Sequence, residues 1–310
     1  MKSKVIAMVV KSATSTIATS PGVLDYILPR NPVTQYREFR LVPESIELAL
    51  GKYLYPSMMD SQGGQSINSK YHDILTTVGK RIARHTDRRD LPFEFSVVDS
   101  SVLNAWCIPG GKIAFYRGLI ERMEAETDTF GVGKFTLEEK IAAVMSHEET
   151  HACARHSARS LEFVVFLTAA FKVFQYGLSF FIANTEKELD RARAHQPNIN
   201  LSHQHAMLGI AKTANFLFHS AYDLFFKLLQ THGSRQHELE ADRYGMLYLQ
   251  RAGYNPKVAV WLQEFFAKQR PDDNTFLDKV IHLFSSHPTS KERAALNRKT
   301  LEDLTQGLLK

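Results

Sequence analysis

The segment Thr136–His151 constrains this chain more than any other stretch of it. Thr136-Leu137-Glu138-Glu139 has the form of a capping box, threonine at the N-cap and glutamate three residues on, and predicts a helix through Ile141, Val144 and Met145. That helix carries His147-Glu148-Glu149-Thr150-His151. Residues four apart on a helix lie one above the other, so the imidazoles of His147 and His151 can converge on a single zinc ion. Glu148 follows the first histidine and is suited to act as general base on water at the metal. Two histidines do not complete such a site, because catalytic zinc takes three protein ligands and keeps a further position open. The fold must therefore bring a third ligand from elsewhere. Ser234-Arg235-Gln236-His237-Glu238-Leu239-Glu240-Ala241-Asp242 offers His237, Glu238 and Glu240, and composition does not choose among them.

The chain has 310 residues, 44% of them hydrophobic and 23% charged. That is enough for a large core in one elaborated domain or two closely joined ones, and it excludes a disordered, collagen-like or wholly membrane-embedded chain. Thirty-eight Lys+Arg against 33 Asp+Glu leave a net charge of +5, too mild to imply a nucleic-acid partner. Cys107 and Cys153 are the only cysteines, which excludes a disulfide framework or a cysteine-based zinc site. Residues 1–30 read as a flexible or targeting N-terminus. Lys2, Lys4 and Lys11 precede the first acid, Asp25, and the apolar run Val5–Val10 is shorter than a secretory signal requires.

Strand patterns run over Phe93–Val98, Val102–Ile108 and Lys112–Tyr116, with Pro109-Gly110-Gly111 as the turn between the last two. Ahead of them, a helix through Tyr71, Ile74, Leu75 and Val78 ends in the basic cluster Lys80, Arg81, Arg84, His85, Arg88 and Arg89, which reads as a solvated face. Beyond Thr136 the pattern is helical, with breaks expected at Asn184–Ser202, His232–Ser234, Gly253–Pro256, Pro271–Asn274 and Ser285–Pro288. Phe163–Ala183 is long enough to span a bilayer. Lys172, Gln175 and Ser179 nevertheless draw a polar line along it, which favours an amphipathic helix buried on one side or lying at an interface. Met207–Leu229 carries the polar stripe Lys212, Asn215, His219, Asp223 and Lys227 and reads as amphipathic. His156, five residues after His151, turns away from the ligand face and reads as structural.

The pairing of H-E-x-x-H with Ser234-Arg235-x-x-Glu238-x-Glu240-Ala241-Asp242 resembles the zinc metalloendopeptidase superfamily of CAAX prenyl proteases, HtpX heat-shock proteases and OMA-type quality-control proteases. Asn31-Pro32-Val33-Thr34 with Leu41-Val42-Pro43-Glu44-Ser45 is similar to the opening of the OMA-type branch. Asn104-Ala105-Trp106 through Pro109-Gly110-Gly111 is similar to its strand pair, and Ser286-His287-Pro288 with Glu292-Arg293 to its late segment. The resemblance implies Glu238 as third zinc ligand, Asp242 as an acceptor that orients a ligand histidine, and one Zn2+ per chain. It further implies substrate protein bound as an extended strand along Asn104, Ala105 and Trp106. His287 and Arg293 are candidates for gating the metal or holding the oxyanion.

The expected fold is α+β and predominantly helical, with a zincin-like active helix, a small antiparallel sheet and a C-terminal helical bundle. Residues 31–310 would form one metallopeptidase domain, with 161–230 as an amphipathic, membrane-associated helical insertion. The expected activity is zinc-dependent hydrolysis of misfolded or stress-exposed membrane or envelope proteins. The site would be the mitochondrial inner membrane in a eukaryote or the cell envelope in a bacterium, and a homo-oligomer is compatible with the sequence. A non-catalytic scaffold or chaperone on the same fold and a prenyl-protein protease are the rival readings. The intact Glu148 counts against the first, and the shortage of apolar spans against the second.

Overall fold

The computed structural model describes residue 25 and residues 28–197, 200–269 and 291–309. Expectations for residues 1–24, Pro271–Asn274 and Ser285–Pro288, His287 among them, lie outside the described residues. The elements are α1 (Glu44–Ser61), α2 (Ser69–Ala83), β1 (Glu94–Val98), β2 (Ala105–Ile108), β3 (Lys112–Tyr116), α3 (Arg117–Ala125), α4 (Leu137–Cys153), α5 (His156–His195), α6 (Ser202–Arg251), α7 (Lys257–Lys268) and α8 (Lys291–Thr305). Helix dominates and the sheet is small, so the molecule is α+β as expected.

The chain divides into two compact units, one of residues 1–159 with 235–310 and the other of residues 160–234. In the first, α2 starts where the Asn68 side chain accepts from the Tyr71 amide, 3.3 Å away. It buries Tyr71, Leu75, Val78 and Ile82, spaced by four, three and four, as a helix with one apolar face should. These meet Ile113 and Phe115 of β3, Leu119, Ile120 and Met123 of α3, Ile141 and Met145 of α4, and Val258, Trp261 and Phe265 of α7 in one core. The capping box at the head of α4 is formed in both directions. The Glu139 amide donates to Thr136 Oγ1 and the Thr136 amide to Glu139 Oε2.

The sheet order is β1-β3-β2. β2 and β3 form the expected antiparallel hairpin, whose turn needs left-handed backbone at both Gly110 (φ 78°) and Gly111 (φ 74°), conformations that glycine adopts without steric penalty. β1, however, runs parallel to β3, so the sheet is mixed and not antiparallel throughout. Its cause is that the hairpin places β3 at the centre and the chain from β1 crosses past it to begin β2. β2 also starts later than the pattern predicts. Val102 and Leu103 are exposed and precede it, and the Asn104 carbonyl accepts from the Tyr116 amide just outside the strand.

The second unit comprises α5 from Ser160 onward and α6 as far as Ser234. Leu189, Leu201 and Leu208 are buried together, with Ile182 and Ala192 against them, and Lys212 pairs with Glu186 at 2.5 Å. The break expected at Asn184–Ser202 is present but short, α5 running on to His195 and α6 starting at Ser202, whereas α6 is continuous through His232–Ser234, where a second break was expected. The charged run after Asn184 is compatible with helix once Leu189 is buried, since helix propensities differ by only about 0.7 kcal/mol among ordinary residues. The most apolar 18-residue window of α5 has mean hydropathy 1.5 and none of it is buried. Among the described residues this is the one helix long and apolar enough to cross a membrane.

Candidate metal centre

Helix α4 presents His147 and His151 from successive turns, and α6 brings Glu238 to meet them. The donor atoms of the three residues lie close together, each oxygen of Glu238 facing one of the histidines. His147 Nε2 and His151 Nε2 are 3.1 Å apart, Glu238 Oε2 is 3.3 Å from the first and Glu238 Oε1 is 3.3 Å from the second. Two imidazole nitrogens and a carboxylate are a donor set that zinc accepts, at about 2.0–2.2 Å, and the three residues are gathered closely enough to share one ion. Glu238 is buried, whereas each histidine side chain is 11% exposed, so the cluster retains a route to solvent. Gly245 permits the close approach of the two helices. A Cβ at that position would lie 3.2 Å from the Ser146 carbonyl and 3.3 Å from the His147 amide.

Asp242, one turn after Glu238, accepts from His147 Nδ1 at 3.0 Å, which leaves His147 Nε2 unprotonated and directed at the cluster. Arg293 of α8 holds both acids. Its Nε and Nη2 donate to the two oxygens of Asp242 at 2.7 Å each, and Nη1 lies 2.9 Å from Glu238 Oε2. Gln263 of α7 adds a bond to Asp242 at 3.2 Å. Burial alone would raise the Asp242 pKa, but Arg293 and His147 outweigh it and hold the carboxyl below its usual range. Burial likewise opposes a charge on His147, yet Asp242 and Glu238 leave its pKa raised. With two carboxylates and one guanidinium, the pocket attracts further positive charge. That, with the donor cluster, is the chemistry of a cation site.

Glu148 is buried on the same helix, 2% exposed. Glu149 points the other way. It is fully buried with neither carboxylate oxygen hydrogen-bonded, and burial pushes its pKa well above the usual range, which keeps it neutral. Sequence spacing set His156 aside, yet the structure brings it to the site. Helix α4 ends at Cys153, Arg155 takes a left-handed conformation (φ 59°), and the reversed chain sets His156 Nδ1 2.7 Å from His151 Nδ1. No spacing rule signals that, because a non-glycine residue makes the reversal.

Of the strand residues, Ala105 packs into the main core with α4. Trp106 alternates to the other face, where it lies with Met59, Val98, Ile108, Ala114 and Tyr116 and donates from Nε1 to Gln62 at 2.7 Å. The Trp106 ring thus sits under α1, edge-on to Tyr55, and not against α4. β2 lies at the edge of the sheet, paired only with β3 among the described residues.

Two histidines and a glutamate gathered by a helix pair define a candidate metal centre of the zincin type. The chain belongs to peptidase family M48, whose profile matches residues 70–300. It is 26% identical over 279 residues to the mitochondrial metalloendopeptidase OMA1 of Schizosaccharomyces pombe, covering 87% of this chain and 64% of that one. To OMA1 of Arabidopsis thaliana it is 27% identical over 206 residues, 66% of this chain and 31% of the relative. To the beta-barrel assembly-enhancing protease of Escherichia coli K12 it is 22% identical over 221 residues, 71% and 37% of the two chains. The chain therefore spans between about a third and two thirds of the length of these relatives.

Proposed function

We propose that this protein is a zinc-dependent endopeptidase of membrane-associated protein quality control, acting on misfolded or stress-exposed membrane or envelope proteins. The observation that carries the reading is the ligand cluster of His147, His151 and Glu238 with Glu148 beside it. His147, His151 and Glu238 would hold the ion. Bound there, zinc lowers the pKa of water toward neutrality and polarises the scissile carbonyl. Glu148 takes a proton from the attacking water onto its carboxylate and passes it to the leaving amine nitrogen. Asp242 and Arg293 keep His147 and Glu238 in position. Substrate adds as an extended strand beside Asn104, Ala105 and Trp106, at the side of the sheet that β2 forms, so backbone hydrogen bonds supply affinity with little sequence preference.

Relatives named as mitochondrial metalloendopeptidases and as a beta-barrel assembly-enhancing protease support the endopeptidase reading and a role tied to protein assembly. The proposed place of action is the mitochondrial inner membrane in a eukaryote or the cell envelope in a bacterium. The exposed apolar surface of α5 supports membrane attachment. Casein cleavage by protein purified in mild detergent tests the proposal. A chelator should abolish it and one equivalent of zinc should restore it. Cleavage that survives complete removal of metal would overturn it.

A further inference from the structure

We infer that His156 is a positioning residue for the metal ligand His151, and that a one-way chain of hydrogen bonds ending on Glu240 fixes the tautomer in which His151 Nε2 is free to bind the ion. The inference rests on the metal reading above. His156 is 3% exposed. Its Nδ1 is 2.7 Å from His151 Nδ1 and its Nε2 is 3.0 Å from Glu240 Oε2. Two ring nitrogens in hydrogen-bond contact need one proton between them, and the third member decides which ring supplies it. A carboxylate can only accept, and Glu240 Oε2 also receives Arg159 Nη1 at 2.6 Å, so His156 Nε2 carries the hydrogen. In a neutral ring His156 Nδ1 is then a lone pair, and His151 Nδ1 must be the donor. The proton order is His151 Nδ1–H to His156 Nδ1, then His156 Nε2–H to Glu240. This leaves His151 Nε2 bare and facing His147 and Glu238.

The chain is anchored at each member. Arg159 ties Glu240 to Glu38, 3.1 Å from its other terminal nitrogen, and the His237 ring stacks on His156 at 4.3 Å and 6°. Arg155, the residue that reverses the backbone, is held by Glu47 at 2.9 Å and the Val42 carbonyl at 2.5 Å. The two ligand histidines are thus oriented by different chemistry. His147 donates to the carboxylate of Asp242 and His151 to a neutral imidazole, so His151 gains direction without a further negative charge beside the ion.

Two measurements on the full chain test this. Zinc affinity by chelator competition should fall about 10- to 100-fold in His156→Phe, which keeps the bulk and removes the acceptor. His156→Asn, whose side-chain oxygen can take the place of Nδ1, should recover most of the loss. Affinity in His156→Phe equal to wild type would overturn the inference, because a merely structural histidine would alter stability and not metal affinity. Ring nitrogen chemical shifts of 15N-histidine-labelled wild type should show His156 protonated at Nε2 and bare at Nδ1. The opposite tautomer overturns the inference even if His156→Phe does not fold. If wild type binds no zinc, the metal reading fails, while the tautomer in the metal-free protein still decides whether the chain of bonds exists.

Discussion

Arg293 shows how much of this centre depends on residues that touch no metal. Its guanidinium is 4% exposed and spans Asp242 and Glu238, and burial, which would depress its pKa, is outweighed by those two carboxylates, which hold it up. Removing one partner of a buried charge cluster leaves the others uncompensated, at a cost of about 3–5 kcal/mol. Arg293→Met should therefore destabilise the metal-free protein by about that amount in urea unfolding, and by less when zinc is bound, because the cation supplies the missing charge. Equal losses with and without zinc would contradict this account. At this scale the i, i+4 histidines were legible from helix periodicity, whereas Glu238 and Asp242 were reached through the family resemblance, the residues of 234–242 alone leaving His237, Glu238 and Glu240 open. The Arg293 pairings and the return of His156 were not legible. The first joins residues 51 positions apart, and the second depends on a left-handed Arg155 that no propensity signals.

At the scale of elements, the helices that frame the centre are tied to one another by polar side chains at their ends. Tyr254, after the turn that closes α6, donates to Glu138 at the head of α4 at 2.8 Å, and Arg81 of α2 lies over its ring at 4.2 Å. Burial, and then the bond to Glu138, push Tyr254 up to about 12 from a usual 10. In the unfolded chain this phenol ionises near 10, so between about 10 and 12 the unfolded state holds fewer protons and rising pH favours unfolding. The stability that Tyr254 contributes is complete below about pH 10 and is lost as pH rises through about 12. Tyr71, raised to about 12 by burial and Glu124, acts in the same window. The thermal midpoint should fall from pH 10 to 12, and Tyr254→Phe should flatten that fall; an unchanged slope would contradict the assignment. The basic end of α2 illustrates what sequence left hidden. It reads as a solvated face, yet Arg81 donates to the Ala252 carbonyl and Arg88 to Glu47, Glu44 and the Ala152 carbonyl. A charge run shows that a surface is polar, not which backbone carbonyls it will cap. The parallel placement of β1 was hidden for a related reason, since period-two alternation fixes which face a residue takes and not which neighbour a strand chooses.

At the scale of the whole molecule, one unit carries the candidate metal centre and the other has a described surface that is strongly apolar. Val173, Phe174, Tyr176 and Phe180 on α5 are each more than half exposed, which is costly in water and favourable in lipid. The protein should float with phospholipid vesicles in a density gradient, and Val173→Asp with Phe174→Asp should shift it toward the soluble fraction while zinc content stays the same. Flotation unaffected by both substitutions would place the attachment elsewhere. The proposal that His147, His151 and Glu238 hold a zinc ion and that Glu148 takes the proton of the attacking water is tested by measuring zinc content and casein cleavage together for wild type and Glu148→Gln. Both proteins should hold about one zinc per chain, with cleavage in Glu148→Gln lower by about 100- to 10,000-fold, the range typical of a lost general base. Undiminished cleavage by Glu148→Gln, or folded wild type that takes up no zinc, would contradict it.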